Sequence, residues 1–385
     1  MTDFTNANSL IKGFERVKKS SGWKDGTQKA CINLLKEVHS LQNDLRNDNY
    51  EQKGWTEFTI CEQGRLRRIK ALSVRDAAMQ HALCDVVLVP ALSKHLIHDN
   101  GASLKGKGLS FTRRRFEQHL LWHYARYGTD GYVLKIDFRK YFDNIRHDVL
   151  YRLMRSYVGD FPHVLSALSS VLKANRIDVS YTDEPNLINQ VFSSLEYEKI
   201  NKQTLTGKRF MDKSMGIGSP ISQIAGIFLP NKIDTYCKTV KHIHCYDAYM
   251  DDRIIIHPSK DYLWQTLSEI KEIAAELGLF INDNKTQIIK LSHGFTFLKT
   301  KYHVTKQGKI IKRIPRDVVV RERRKLKKLA RFTARGDMNI KDFVNQYSSW
   351  RGDKKKYHSH RTIYSMDNLF KELMVWITKK NMHSM

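Results

Sequence analysis

Apolar and polar positions change period repeatedly along the chain, and each change marks an element. Residues 1–50 place Ile32, Leu34, Leu35, Val38, Leu41 and Leu45 at roughly helical spacing, which predicts a helical N-terminal extension. Residues 54–72 are rich in β-formers and carry Arg65, Arg67, Arg68 and Lys70. Ser73 with Asp76 three residues on predicts a capped helix whose apolar face includes Ala77, Leu83, Val86 and Val87 ahead of Pro90. A helix over 111–126 carries Arg113, Arg114 and Arg115 and is fed by the loop Ser103-Leu104-Lys105-Gly106-Lys107-Gly108. Tyr132-Val133-Leu134-Lys135-Ile136 reads as a strand ending in Asp137, with a helix from about Asp148.

Further on, the Gly-rich stretch Met215-Gly216-Ile217-Gly218-Ser219-Pro220-Ile221-Ser222-Gln223 opens a helix that Pro230 is expected to kink, since proline cannot donate to the Gly226 carbonyl. His242–Tyr246 and Arg253–His257 are β-formers flanking Tyr249-Met250-Asp251-Asp252, so two acids fall at a hairpin turn. Residues 262–277 form an amphipathic helix that Gly278 should cap. After the strand starting Phe295-Thr296-Phe297-Leu298, residues 309–335 repeat cations around Val319, Leu326, Leu329 and Phe332, which predicts a basic helix with one packing face. The segment 342–379 is helical with an interruption near Gly352, and His358 and His360 read as surface residues.

Charge narrows the classes of function. Lys and Arg number 66 against 40 Asp and Glu, a surplus of 26 that points to a polyanionic partner. Five scattered cysteines with no Cys-x-x-Cys pair exclude a disulfide framework and a zinc site as sequence readings. No apolar run suits a signal peptide or the ~20 residues of a membrane span, so a cytoplasmic protein is expected.

The candidate chemistry is carboxylate chemistry. Adjacent acids at a hairpin turn repel unless a cation lies between them and neighbouring groups. Alone, Asp251 and Asp252 would read first as a solvated hairpin tip. Asp137, at the end of another strand, supplies a third carboxylate, and few-carboxylate oxygen sites completed by phosphates are what magnesium prefers.

Taken in order, the basic β segment, basic loop, strand Asp137, Gly-rich turn, Tyr249-Met250-Asp251-Asp252 hairpin, Gly278-x-x-x-Asn282-x-x-Lys285, Phe297-Leu298 strand and basic helix resemble a reverse transcriptase across about residues 60 to 335. The resemblance implies an α+β right-hand polymerase fold. Its fingers would span 51–130, its palm 131–300 with part of 160–212 lent to the fingers, and its basic helical thumb and tail 301–385. It implies two magnesium ions, or manganese in their place, held by Asp137, Asp251 and Asp252 with the Phe138 carbonyl nearby. It also implies that Lys285 protonates pyrophosphate, Phe142 excludes a 2′-hydroxyl or simply packs, and Arg67 grips the triphosphate. Ile217 and Gly218 would lie against the nucleotide, and Phe297, Leu298, Lys325 and Lys328 against primer and template.

Ile217-Gly218-x-x-x-Ser222-Gln223 further resembles the enzymes of diversity-generating retroelements, bacterial and phage systems that copy a template RNA into cDNA with frequent errors opposite adenine. That implies a template RNA, a DNA or RNA primer, deoxynucleoside triphosphates and a small basic accessory protein as partners. An antiphage defence reverse transcriptase, a non-catalytic RNA-binding protein on the same scaffold and a viral RNA-dependent RNA polymerase remain alternatives.

Overall fold

The computed structural model describes residues 3–62, 65–178 and 210–382. Three helices, α1 (Ala7–Ser21), α2 (Asp25–Ile32) and α3 (Leu34–Arg46), make the extension. Leu10 and Phe14 of α1 and Leu41 and Leu45 of α3 are buried in one cluster with Leu134 and Ile136, so the extension belongs to the main core. Strands β1 (Thr56–Glu62) and β2 (Arg65–Ala71) pair as an antiparallel ribbon. Helix α4 (Val74–Leu83) starts as its sequence demands, with the Ser73 hydroxyl accepting from the Asp76 N–H and donating to the Asp76 carboxylate. Pro90 does not end it. A wider π-type turn, Cys84–Leu88, carries the chain into α5 (Val89–Ser93), and the Val89 N–H bonds back to the Cys84 carbonyl.

In chain order there follow α6 (Leu109–Tyr127), β3 (Tyr132–Asp137), α7 (His147–Val158), α8 (Pro162–Ala174), the short pair β4 (Ile177–Asp178) and β5 (Phe210–Met211), α9 (Pro220–Phe228) and α10 (Asn231–Thr235). Next come β6 (Tyr246–Tyr249), β7 (Asp252–His257), α11 (Lys260–Glu276), β8 (Gln287–Lys290), β9 (Phe295–Phe297), β10 (Thr300–Val304) and β11 (Ile310–Arg313). The C-terminal helices are α12 (Arg316–Ala334), α13 (Ile340–Lys354) and α14 (His360–Met382).

The organising layer is a four-stranded antiparallel sheet in the order β6-β7-β3-β8. Its central strands carry unbroken apolar runs, Val133-Leu134 and Ile254-Ile255-Ile256, because both faces are covered. Side chains alternate across a strand. Leu134, Ile136 and Ile255 face the helical core, while Val133, Ile254 and Ile256 meet Phe116, Phe295, Phe297 and Tyr302 on the other side. The outer edge of β6 is covered by the segment around Asn100, whose neighbours exchange backbone bonds with Ala248.

Two breaks follow from single residues. The helix at Pro230 is interrupted outright, α9 ending at Phe228, and the Gly226 carbonyl that proline cannot serve accepts the Tyr141 hydroxyl at 2.7 Å. Helix α11 ends at a left-handed Gly278, φ 71°, with the Gly278 and Leu279 N–H groups returning to the Ala275 and Ala274 carbonyls.

Two expectations need correction. The basic helix does not begin at 309: Ile310–Arg313 pairs with β10, and Pro315 precedes α12. Gly352 lies inside α13, and the interruption falls after it. The three C-terminal helices bury Leu326, Phe343, Tyr347 and Met366 in a cluster of their own.

Candidate active site

Asp137 is the last residue of β3, and Asp252, the first of β7, lies directly opposite it. Both point to one face, the face of Val133 and Ile254. Tyr249 pairs with Asp252, so the β6–β7 turn is only Met250 and Asp251. Met250 takes φ 53°, a left-handed value uncommon outside glycine. The sequence-predicted carboxylates are thus gathered at one end of the sheet.

Their crowding is measurable in Asp252. Burial, then the charge of Asp251, with Asp137 adding to it, pushes its carboxyl up to about 6 against the opposing pull of Lys135 and Arg253. A carboxyl raised in the folded state lends stability below its unfolded value of 3.8 and loses it as pH rises through about 6. At neutral pH the folded chain therefore carries this charge at a cost on the order of 3 kcal/mol. Asp252→Asn should raise metal-free stability at pH 7.5 by about 1–3 kcal/mol, and added magnesium should stabilise the wild type more than the variant. Thermal unfolding with EDTA and with magnesium reads both effects; a variant less stable than wild type in EDTA would contradict the crowding.

The segment after Gly278 is stitched to the end of β3. Arg139 N–H donates to the Phe280 carbonyl and Asn282 N–H to the Asp137 carbonyl, each at 2.8 Å, which leaves the Phe138 carbonyl outside that ladder. Asn282 Nδ2 and Lys285 Nζ both lie 3.2 Å from Asp137 Oδ2. The motif lysine is therefore an ion-pair partner of a candidate metal carboxylate, with its side chain 54% exposed.

The Gly-rich turn is held from behind. Asn175 Oδ1 accepts the Gly216 N–H at 2.7 Å, and Gln80 Oε1 accepts the Ile221 N–H at 3.4 Å. Ser219 caps α9 through the Ser222 N–H and Pro220 takes the first helical position, where no donor is needed. Ile217 is half-buried and Gly218, φ 107°, is exposed. Both line a cavity of ≈ 640 Å³ shared with Arg16, Lys24, Lys70 and Lys105. Phe142 is half-buried, packs edge-on against Tyr141, and lies so close to Gly226 that a Cβ there would come within 3.1 Å of its ring.

The remaining predicted residues divide. Arg67 sits on β2 opposite Ile60, and its side chain lies outside the described residues. Phe297 is fully buried against Phe116, ring centres 5.0 Å apart, so its side chain packs the core and does not face nucleic acid. Leu298 follows at φ 44°, its carbonyl accepting from Arg113 Nη2 at 2.7 Å. Lys325 and Lys328 are exposed on α12, Lys325 bonded to Gln346 Oε1 at 2.9 Å and Lys328 over the Phe332 ring.

A second donor cluster lies under β6, where Asp99, His119 and Asp247 offer ligand atoms within 4.8 Å of one another. Its residue types suit a metal. Yet Asp99 is already met by Arg115 Nε at 2.7 Å and Lys238 Nζ at 2.8 Å. Burial pushes its carboxyl up, but these two cations outweigh it and hold Asp99 well below the usual carboxylate range. The charge there is matched by protein cations, whereas at the Asp137 end of the sheet Lys285, Lys135 and Arg253 still leave the Asp252 carboxyl raised.

The family model described as reverse transcriptase (RNA-dependent DNA polymerase) matches residues 62–302, well over half of the chain and inclusive of every strand of the central sheet. The chain belongs to the reverse transcriptase family. Among curated proteins none matches it. Membership makes the chain an RNA-directed DNA polymerase, a nucleotidyltransferase with the palm-type fold that binds template nucleic acid and deoxynucleoside triphosphates and uses divalent metal. No helix among the described residues is long and apolar enough to cross a membrane. Sequence reasoning passed over Asn175, Gln80 and Arg253 of this reverse transcriptase. For Arg253 a signal existed, a cation directly before Ile254-Ile255-Ile256, a run apolar on both faces.

Proposed function

We propose that this reverse transcriptase copies a template RNA into cDNA for a diversity-generating retroelement, with errors directed to template adenine. In this reading the central sheet is the palm, the β1–β2 ribbon belongs to the fingers and the C-terminal helices form the thumb. Asp137 and Asp251 would hold two magnesium ions, with Asp252 assisting and the Phe138 carbonyl as a further oxygen donor. The donor set fits: half-buried carboxylates on one sheet end, one pushed up to about 6 by burial and by its acidic neighbours, call for a multivalent cation. When bound, such ions favour the 3′-alkoxide and neutralise the triphosphate. The protein's own groups do the rest. Lys285 leaves Asp137 to protonate departing pyrophosphate, Arg67 grips the triphosphate, and the Phe142 ring walls off a 2′-hydroxyl. Lys325, Lys328 and the Leu298 turn contact the primer–template backbone, where cations give affinity without sequence preference.

The observation that carries the subclass is Ile217 in the cavity wall beside Gly218. A branched apolar side chain offers no amide hydrogen bonds with which to test the geometry of a nascent pair, and discrimination that rests on apolar contact alone is worth only about 1–3 kcal/mol. Ile217→Gln should lower misincorporation opposite adenine by about 10-fold, read by sequencing cDNA from an RNA template with a small basic accessory protein supplied. An unchanged error spectrum would remove this residue from fidelity, and accurate wild-type copying would favour a defence role.

A further inference from the structure

Immediately after the carboxylate pair comes a cation where the strand calls for an apolar residue. Arg253 is 0% exposed, the largest fully buried side chain among the described residues. Strand alternation turns it away from Asp252 and Asp137, to the helical side of the sheet. From there its guanidinium reaches three different elements. Nη1 donates to the Met250 carbonyl inside the catalytic turn. Nε donates to Asp234 Oδ1 at 3.2 Å, on α10 beyond the Pro230 break. Its Cζ stands 5.2 Å from the centre of the Phe138 ring, next to Asp137. The Tyr246 hydroxyl of β6 donates to the same Asp234 oxygen at 2.5 Å.

We infer that Arg253 is a positioning residue that aims Asp251 by pinning the Met250–Asp251 peptide. The carbonyl it holds belongs to the same rigid peptide plane as the Asp251 N–H, so fixing that oxygen fixes the direction in which Asp251 leaves the backbone. The turn needs such a hold. Met250 sits at φ 53°, where a residue with a Cβ is strained by about 1–3 kcal/mol and stays only if its surroundings insist. Arg253 also forgoes a better ion pair to do this. Among the described residues neither its buried Nη2 nor the buried Asp234 Oδ2 has a hydrogen-bond partner, so the second bond of a side-on fork is not made. A buried arginine serving only to neutralise Asp234 would close that fork.

This inference rests on reading Asp251 as a metal carboxylate, and the test separates the two. Arg253→Lys keeps a cation for Asp234 but replaces the two nitrogens that reach Asp234 and Met250 from one rigid plane with a single ammonium on a flexible stem, so the two bonds are not reproduced in their present geometry. The expected result is a kcat for primer extension lowered about 10–100-fold and a raised magnesium midpoint, with KM for deoxynucleotide within about threefold of wild type. Asp234→Asn keeps the bond to Met250 and should stay within about threefold in kcat even where it melts earlier. The double variant Arg253→Met/Asp234→Asn, which leaves no unpaired buried charge, should fold and show the same kcat and magnesium defect as Arg253→Lys. Asp251→Asn is assayed alongside. If Asp251→Asn remains active, the metal-site reading fails. If it is inactive while Arg253→Lys keeps wild-type kcat and magnesium midpoint, or if Asp234→Asn loses as much kcat as Arg253→Lys, Arg253 has only a structural role.

Discussion

Asp137→Asn and Asp251→Asn are each expected to abolish primer extension, by roughly 10³-fold or more. The magnitude follows from the charge stabilisation a divalent ion contributes to a displacement at phosphorus, several kcal/mol, each 1.36 kcal/mol being tenfold in rate. Each substitution removes one formal charge from the same sheet end, and neither removes bulk. Asp137 also anchors Asn282 and Lys285, so its amide variant loosens the 278–286 segment as well. Asp251 lies in the two-residue β6–β7 turn. Both should retain primer–template binding in a filter or anisotropy assay, because the cations on α12 lie elsewhere. A variant that binds and still extends at a tenth of the wild-type rate would move the metal site away from these carboxylates.

The second large effect concerns the sugar. Phe142→Ala should raise incorporation of ribonucleotides relative to deoxyribonucleotides by about 10–100-fold, the range one apolar contact in a binding wall controls. The ring is held from two sides, by Tyr141 and by the bare α-carbon of Gly226. Gly226 is placed there by the same helix end at which Pro230 breaks the ladder and Tyr141 takes the freed carbonyl. Phe142 is thus both packed and available, half-buried beside the Gly-rich turn whose Met215 N–H donates to its carbonyl at 2.9 Å. Single-nucleotide incorporation with matched dNTP and rNTP reads the ratio, with melting temperature to show the variant is folded. An unchanged ratio would leave Phe142 as a packing residue.

The elements that were legible in the sequence are those governed by local chemistry. Ser73 with Asp76 marks a helix start because a side chain must satisfy the first free N–H groups, and Gly278 marks a helix end because a left-handed residue must close it. Ile254-Ile255-Ile256 signals a strand covered on both faces, and the Asp-Asp turn beside it signals a site because like charges need a reason to be adjacent. What the sequence hid depends on contacts between distant residues. Asn175 and Gln80 reach the Gly-rich turn from more than 40 and 140 residues away by count along the chain, and an isolated Asn or Gln gives no sign of its partner. Phe297 was placed near nucleic acid by motif position, but burial against Phe116 and Tyr302 is a property of the assembled sheet face. The 309–335 stretch read as one helix because cations and branched residues suit either period, and pairing with β10 decided for a strand over Ile310–Arg313.

RNA-templated DNA synthesis is the activity on which the carboxylate site and the subclass both depend. Purified protein, a defined RNA template with an annealed primer, magnesium and deoxynucleotides should give template-length DNA whose sequence departs from the template chiefly opposite adenine. DNA of untemplated sequence, or product made as readily from ribonucleotides, would contradict it.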